Sequence, residues 1–223
     1  MVKEWKSISM YLFYDNLLSI LTFWGFFILS IPIFITIAYM FPGTTIVISA
    51  GMIIFIFCSI AGFLMTKETF PSLIKLGTTR TSYVIVTSLF MAGIALTMTI
   101  IALIATLAVA SFAPENVSLV SMTNLTNLES TWYNDFIFNL VICFFLLVSS
   151  FFLGTVFYRL GLIGGLAVIL ALFITFMIPE IREFMFDSVV TANLIAFIVI
   201  AIVLIFPSWL LLRTATAVPA ATR

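Results

Sequence analysis

The side chains with chemical reach are few in this chain of 223 residues, and their types narrow the chemistry at once. It has no histidine, so His-ligated metals, Ser–His triads and imidazole proton relays are excluded. The two cysteines, Cys58 and Cys143, lie inside apolar runs and show neither a metal-ligand spacing nor the pattern of an extracellular disulfide. Charges gather in Thr66-Lys-Glu-Thr-Phe-Pro-Ser-Leu-Ile-Lys-Leu-Gly-Thr-Thr-Arg-Thr-Ser82, where Lys67, Glu68, Lys75 and Arg80 surround an apolar set, Phe70, Leu73 and Ile74. Pro71 suits the first turn of a helix and Gly77 its C-terminal end, so the spacing predicts a helix of about six residues. Thr78 or Thr79 then caps the segment that follows. Such a feature breaks no bonds. A charged knob with an apolar face is suited to docking in a partner's groove, and a loop this short needs no helix merely to connect its neighbours.

The elements that position this knob are read from composition. The chain is 64% hydrophobic and 8% charged, with nine Lys+Arg and nine Asp+Glu. A water-soluble domain carries about 25% charged residues, so most of this surface is suited to lipid. A soluble enzyme, a disordered chain and, at net charge zero without a basic stripe, a nucleic-acid binder are all excluded. A bilayer core of about 30 Å takes roughly 20 apolar residues of helix. Six runs qualify: Leu17–Met40, Ile46–Met65, Tyr83–Phe112, Phe136–Phe157, Leu160–Ile178 and Val189–Leu212. The expected fold is therefore one all-α membrane domain of six transmembrane helices. Continuous apolar runs, not alternating ten-residue segments, argue against a transmembrane barrel, and the first run is too long for a removable signal peptide.

Basic residues orient the spans. Lys3, Lys6, Lys67, Lys75, Arg80, Arg159, Arg213 and Arg223 fall on the side of the N-terminus, and Arg182 alone on the other. The positive-inside rule then puts both termini in the cytoplasm. Within Val2–Asn16, Trp5, Ile8 and Leu12 share one helical face while Lys3, Lys6 and Ser7 point away, the pattern of an amphipathic helix lying in the membrane interface. Spans one and two are joined by a tight turn at Pro42 and Gly43. The longest external segment, Ala113–Asp135, is polar and holds two glycosylation sequons, at Asn116 and Asn124. No Asp or Glu lies deep in a span, which disfavours proton- or sodium-coupled transport. Gly154, Gly161, Gly164 and Gly165 surround Arg159 at the turn between spans four and five, where they permit close helix approach.

Phe70-Pro-x-x-x-x-x-Gly77-Thr-x-Arg80-x-x-Tyr83, sited between spans two and three, resembles the permeases of ABC-2-type ATP-binding cassette transporters. Small bacterial members read there as an aromatic residue, a short helix, then Gly-x-x-Arg entering span three. Six spans, cytoplasmic termini and an amphipathic N-terminal helix also agree. Larger relatives carry a helical re-entrant insertion between spans five and six, for which this chain has only Pro179–Ser188. The resemblance implies a subunit without catalytic power, binding no cofactor itself. Two copies would enclose a pathway, each resting on a separate ATPase subunit that binds ATP and Mg, because this chain has no Gly-x-x-x-x-Gly-Lys-[ST].

It also implies that Lys67, Glu68, Phe70, Leu73, Ile74, Lys75, Gly77 and Arg80 form the coupling helix and its flanks, with Arg159 either a packing residue or a second, smaller ATPase contact. In such permeases spans two and five line the cleft. Here Phe55, Ser59 and Phe63 follow helical spacing in one, and Phe173, Phe176 and Met177 lie together in the other. An uncharged aromatic cleft suits a hydrophobic or amphipathic substrate, such as a peptide, a lipid-like molecule or a drug. The expectation is a homodimeric exporter in a bacterial plasma membrane, in contact with lipid and without nucleic acid. Its rival is a membrane sensor, immunity or scaffold protein that transports nothing.

Overall fold

A computed structural model describes residues 2–41, 46–112, 117–120, 122–190 and 193–215. The expected turn at Pro42 and Gly43, the sequon residue Asn116 and Arg223 lie outside them. Among the described residues the regular structure is helical apart from one three-residue strand pair. In chain order it runs α1 (Val2–Met40), β1 (Ile46–Ile48), α2 (Ala50–Leu64), a π-turn (Met65–Thr69), α3 (Phe70–Lys75), α4 (Arg80–Phe112), β2 (Val117–Leu119), a 3-10 turn (Met122–Leu125), α5 (Trp132–Met177), α6 (Pro179–Val190) and α7 (Leu194–Arg213). Among the described residues, five helical stretches are long and apolar enough to cross a membrane: Glu4–Met40, Ala50–Lys75, Arg80–Ser111, Trp132–Met177 and Leu194–Arg213.

The fourth of these is not one straight rod. Its 46 residues would extend about 69 Å at ~1.5 Å each, over twice the ~30 Å hydrocarbon core. Gly161 interrupts it, with φ 72° and ψ −171°, a backbone region essentially restricted to glycine. A side-chain carbon on Gly165 would stand 2.4 Å from the Phe157 ring, although residues eight apart in an unbroken helix lie about 12 Å from each other. The chain therefore bends sharply at Gly161, where the sequence predicts a turn between two spans. The first arm, to Leu160, is packed; the second exposes Leu166, Leu170, Phe173, Ile174 and Met177.

Contacts give the relative directions. Glu4 meets Thr79 and Trp24 meets Met98, so α1 and α4 run the same way. Thr66 of the π-turn donates to the Phe151 carbonyl at 3.1 Å, and a side-chain carbon on Gly62 would sit 2.3 Å from the Leu147 carbonyl oxygen. These pairs share one offset, so α2 and the first arm of α5 are parallel. Cys58, Gly62 and Thr66 thus form a small-x-x-x-small seam that lets the two backbones approach. From the other side, a carbon on Gly154 would meet the Phe63 carbonyl at 2.8 Å. At the end holding Arg80 and Arg159, both reach the C-terminus of α7, and we call it the basic end.

Several expected boundaries move. No separate interfacial helix exists: Val2–Asn16 continues into the first span as one 39-residue helix. Composition changes at Asn16, but neither glycine nor proline occurs before Gly25 to break the backbone. Its buried stripe, Ile8, Leu12, Trp24 and Phe27, runs on through both parts. Residues Ile46–Ile48, expected to open span two, instead pair in parallel with Val117–Leu119. The helix begins after Ser49, whose hydroxyl oxygen accepts the Met52 N–H at 3.4 Å. The last helix starts at Leu194, not Val189, because Asn193 caps it by accepting the Ala196 N–H at 3.3 Å. The Pro179–Ser188 stretch is occupied by α6, a 12-residue helix.

Candidate functional site

The expected six-residue helix is present: α3 spans Phe70–Lys75 with Pro71 in its first turn and Gly77, φ 88°, just past its end. Its setting differs from the expectation. The π-turn at Met65–Thr69 joins it directly to α2, and the extra residue in such a turn rotates the face that follows by about 100° relative to an unbroken α-helix. Phe70 consequently points inward and is fully buried, its ring edge-on to Tyr83 and Tyr158 at 5.2 Å from each. Leu73 is buried too, and Ile74 half-buried. Phe70 and Leu73 are therefore core residues and not an outward docking face. The exposed surface of the knob is Lys67, Glu68, Lys75, Leu76 and Gly77, with Leu76 71% exposed.

Three helices hold this knob. The Tyr83 hydroxyl of α4 donates to the Met65 carbonyl at 2.6 Å, the acceptor that also takes the Phe70 N–H across the π-turn. Thr69 donates its hydroxyl hydrogen to Asp15 of α1 at 2.8 Å. Tyr158 packs from α5. Thr79 caps α4 as expected, its hydroxyl oxygen accepting the Ser82 N–H at 3.3 Å. The Thr79 N–H in turn donates to the Glu4 carboxylate at 3.1 Å. Glu4 thus completes, from another helix, the reciprocal pairing that a capping box makes within one. That backbone hydrogen bond holds the Glu4 pKa below its ordinary value.

Arg80 and Arg159 have a role that the sequence reading missed. Arg159 Nη1 donates to the Leu211 carbonyl at 3.0 Å and to the Thr214 hydroxyl, and Arg80 Nη1 donates to the Arg213 carbonyl. The Ala215 N–H takes the Leu212 carbonyl between them at 3.1 Å. Two cations therefore close the last turn of α7, where carbonyls lack helical partners and the helix dipole is negative. Trp209 adds an indole N–H bond to Thr81 at 3.2 Å, under the Arg213 guanidinium, which is 5.4 Å from its ring. The available signal was a basic residue just outside each of two apolar runs that end on the same side as a third.

The residues expected to line a pathway have the following settings. Ser59 donates to the Phe55 carbonyl of its own helix at 2.9 Å, and Phe63 stacks edge-on with Phe157 at 5.7 Å. Phe173, Phe176 and Met177 lie on the exposed second arm of α5. Among the described residues, no group of three or more Cys, Asp or Glu side chains is arranged to hold a metal. No family model, curated protein or solved structure matches the chain.

Proposed function

We propose that this chain is the membrane-spanning permease subunit of an ABC-2-type exporter, a homodimer that moves a hydrophobic or amphipathic substrate and is driven by a separate ATPase that binds ATP and Mg. The observation that carries the reading is mechanical. An exposed, charged knob on a short helix is tied to α1 through Asp15 and Glu4, to α4 through Tyr83, and to α5 through Tyr158. Arg80 extends the connection to α7. Force applied at Lys67, Glu68, Lys75 or Leu76 reaches all the long helices, as a subunit that converts ATPase closure into a rigid-body tilt requires. The sharp bend at Gly161 supports six crossings, and the gathering of Lys67, Lys75, Arg80, Arg159 and Arg213 at one end supports a cytoplasmic basic end in a bacterial plasma membrane. Cysteines introduced at Thr78 and Asn124 are expected to label from opposite sides, with Asn124 outside; labelling from one side refutes that topology.

The rival reading, a sensor, immunity or scaffold protein, draws on the exposure of Phe173, Phe176 and Met177 on the second arm of α5. Purification from the native membrane separates the two. A stoichiometric cassette ATPase, with hydrolysis stimulated by the permease, is the expected result. A pure chain that never retains an ATPase refutes transport and leaves the scaffold.

A further inference from the structure

At the end opposite the basic one, α2, α4, α5 and the turn at Met122 enclose a cavity of about 30 Å³, room for about two waters. Thr99 and Thr106 of α4 and Asp135 and Asn139 of α5 supply its polar lining. Both threonine hydrogens are already committed to their own helix, from Thr99 to the Ala95 carbonyl at 2.8 Å and from Thr106 to the Ala102 carbonyl at 2.9 Å. Their oxygens have only lone pairs left to offer. Asn139 Oδ1 is enclosed and has no hydrogen-bond donor among the described residues. Asp135 stands one turn earlier on the same face of α5, with one oxygen accepting the Thr123 hydroxyl.

The side-chain oxygens of this cavity are thus acceptors, one group is a carboxylate, and no basic residue lines it among the described residues. Gly51 keeps the space beside the amide oxygen open: a side-chain carbon there would stand 2.9 Å from Asn139 Oδ1 and 2.8 Å from Met122 Cγ. The N-terminus of α2 also faces this region, but its partial charge is about half of one unit, less than the Asp135 carboxylate carries.

We propose that this cavity binds a monovalent cation, sodium by its donor set. Carboxylate, amide and hydroxyl oxygens are hard ligands, and one carboxylate balances one positive charge, where a divalent ion would leave an excess in a low-dielectric interior. The Asp135 carboxylate and Asn139 Oδ1 are the principal ligands. Thr99 and Thr106, about 10 Å apart along α4 by helical rise, mark the inner and outer limits, and water completes the shell. The site is independent of the transport reading, since it fills or stays empty whether or not an ATPase binds.

The test is thermal unfolding of the purified full chain in lipid nanodiscs, titrated with sodium chloride against choline chloride at constant ionic strength. A ligand held only by the folded state raises the melting temperature with its concentration. We expect such a rise in sodium and none in choline, with apparent sodium affinity at least about tenfold weaker in Asn139→Leu. Asn139→Asp, which keeps an oxygen at the site and adds charge, retains or tightens binding. Should Asn139→Leu fail to fold, Asp135→Asn is the second variant, with the same loss expected. An equal or larger response to choline or potassium chloride overturns the proposal, as does an undiminished sodium response in whichever of the two loss variants folds.

Discussion

Replacing Phe70 by alanine separates a core residue from a docking anchor, because the two roles predict opposite results. The ring is fully buried between Tyr83 and Tyr158, edge-on to each at 5.2 Å. Removing a buried phenylalanine side chain costs about 3–5 kcal/mol, the lost contacts and the cavity together, of which two edge-on aromatic pairs account for roughly 1–3 kcal/mol. For a chain of this size each kcal/mol moves the melting temperature by about 2–4 °C, so Phe70→Ala should melt about 6–20 °C lower. Leu76, 71% exposed, is the counterpart. Leu76→Ala should leave stability within about 0.5 kcal/mol but weaken ATPase recruitment roughly tenfold or more, as loss of an interface anchor does at 1.4 kcal/mol per decade. Both variants are assayed by thermal unfolding in nanodiscs and by titration of the ATPase onto immobilised permease. If Phe70→Ala melts like the wild type and loses recruitment while Leu76→Ala keeps recruitment intact, the inward placement of Phe70 is wrong.

Four further substitutions, one of them a control, probe other joints. Arg159→Ala should cost about 1–3 kcal/mol through its charged hydrogen bonds to the end of α7, with hydrogen exchange rising in the last turn of that helix; unchanged exchange there would show that Arg159 is not its cap. Gly62→Ala forces a methyl to within 2.3 Å of the Leu147 carbonyl and should destabilise by about 1–3 kcal/mol, whereas Gly93→Ala meets nothing within 4 Å and should melt normally. Equal behaviour of the two glycine variants would contradict the close crossing of α2 and α5. The Glu4 carboxylate has a folded pKa below its ordinary 4.5, so its bond to Thr79 contributes above that value and is lost as pH falls through the lower, folded one. The melting temperature should therefore drop more steeply below about pH 4.5 in the wild type than in Glu4→Gln, and parallel curves would remove Glu4 from the cap.

What the sequence disclosed were features written in the backbone. Pro71 and Gly77 bracket α3 because one residue has a fixed φ and the other tolerates φ 88°. The run of helices follows from length and hydropathy alone. What stayed hidden depended on partners distant in the chain. Nothing local to Phe70 says which way it points; the π-turn rotates it inward, and Tyr83 and Tyr158 receive it. Arg80 read as a coupling residue, and Arg159 as a packing residue or a second ATPase contact, because the carbonyls they cap belong to α7. The separation of Val2–Asn16 from the first span rested on a change of composition, which the backbone of α1 ignores. One signal was legible and overlooked: Cys58, Gly62 and Thr66, small residues at four-residue spacing in an apolar run, mark where another helix comes close.

The parallel pairing of α2 with the first arm of α5 also has a temporal side. Gly62 and Leu147 are separated by 85 residues of chain, which a ribosome synthesises in about 4–17 s at ~5–20 residues per second. Through that interval the small-residue seam of α2 sits in the membrane without its mate, open to lipid and to the same seam on a neighbouring nascent chain. Newly made copies emerging close together have a window of seconds in which α2 can pair with the wrong helix. The arrival of Leu147 and Phe151 closes it.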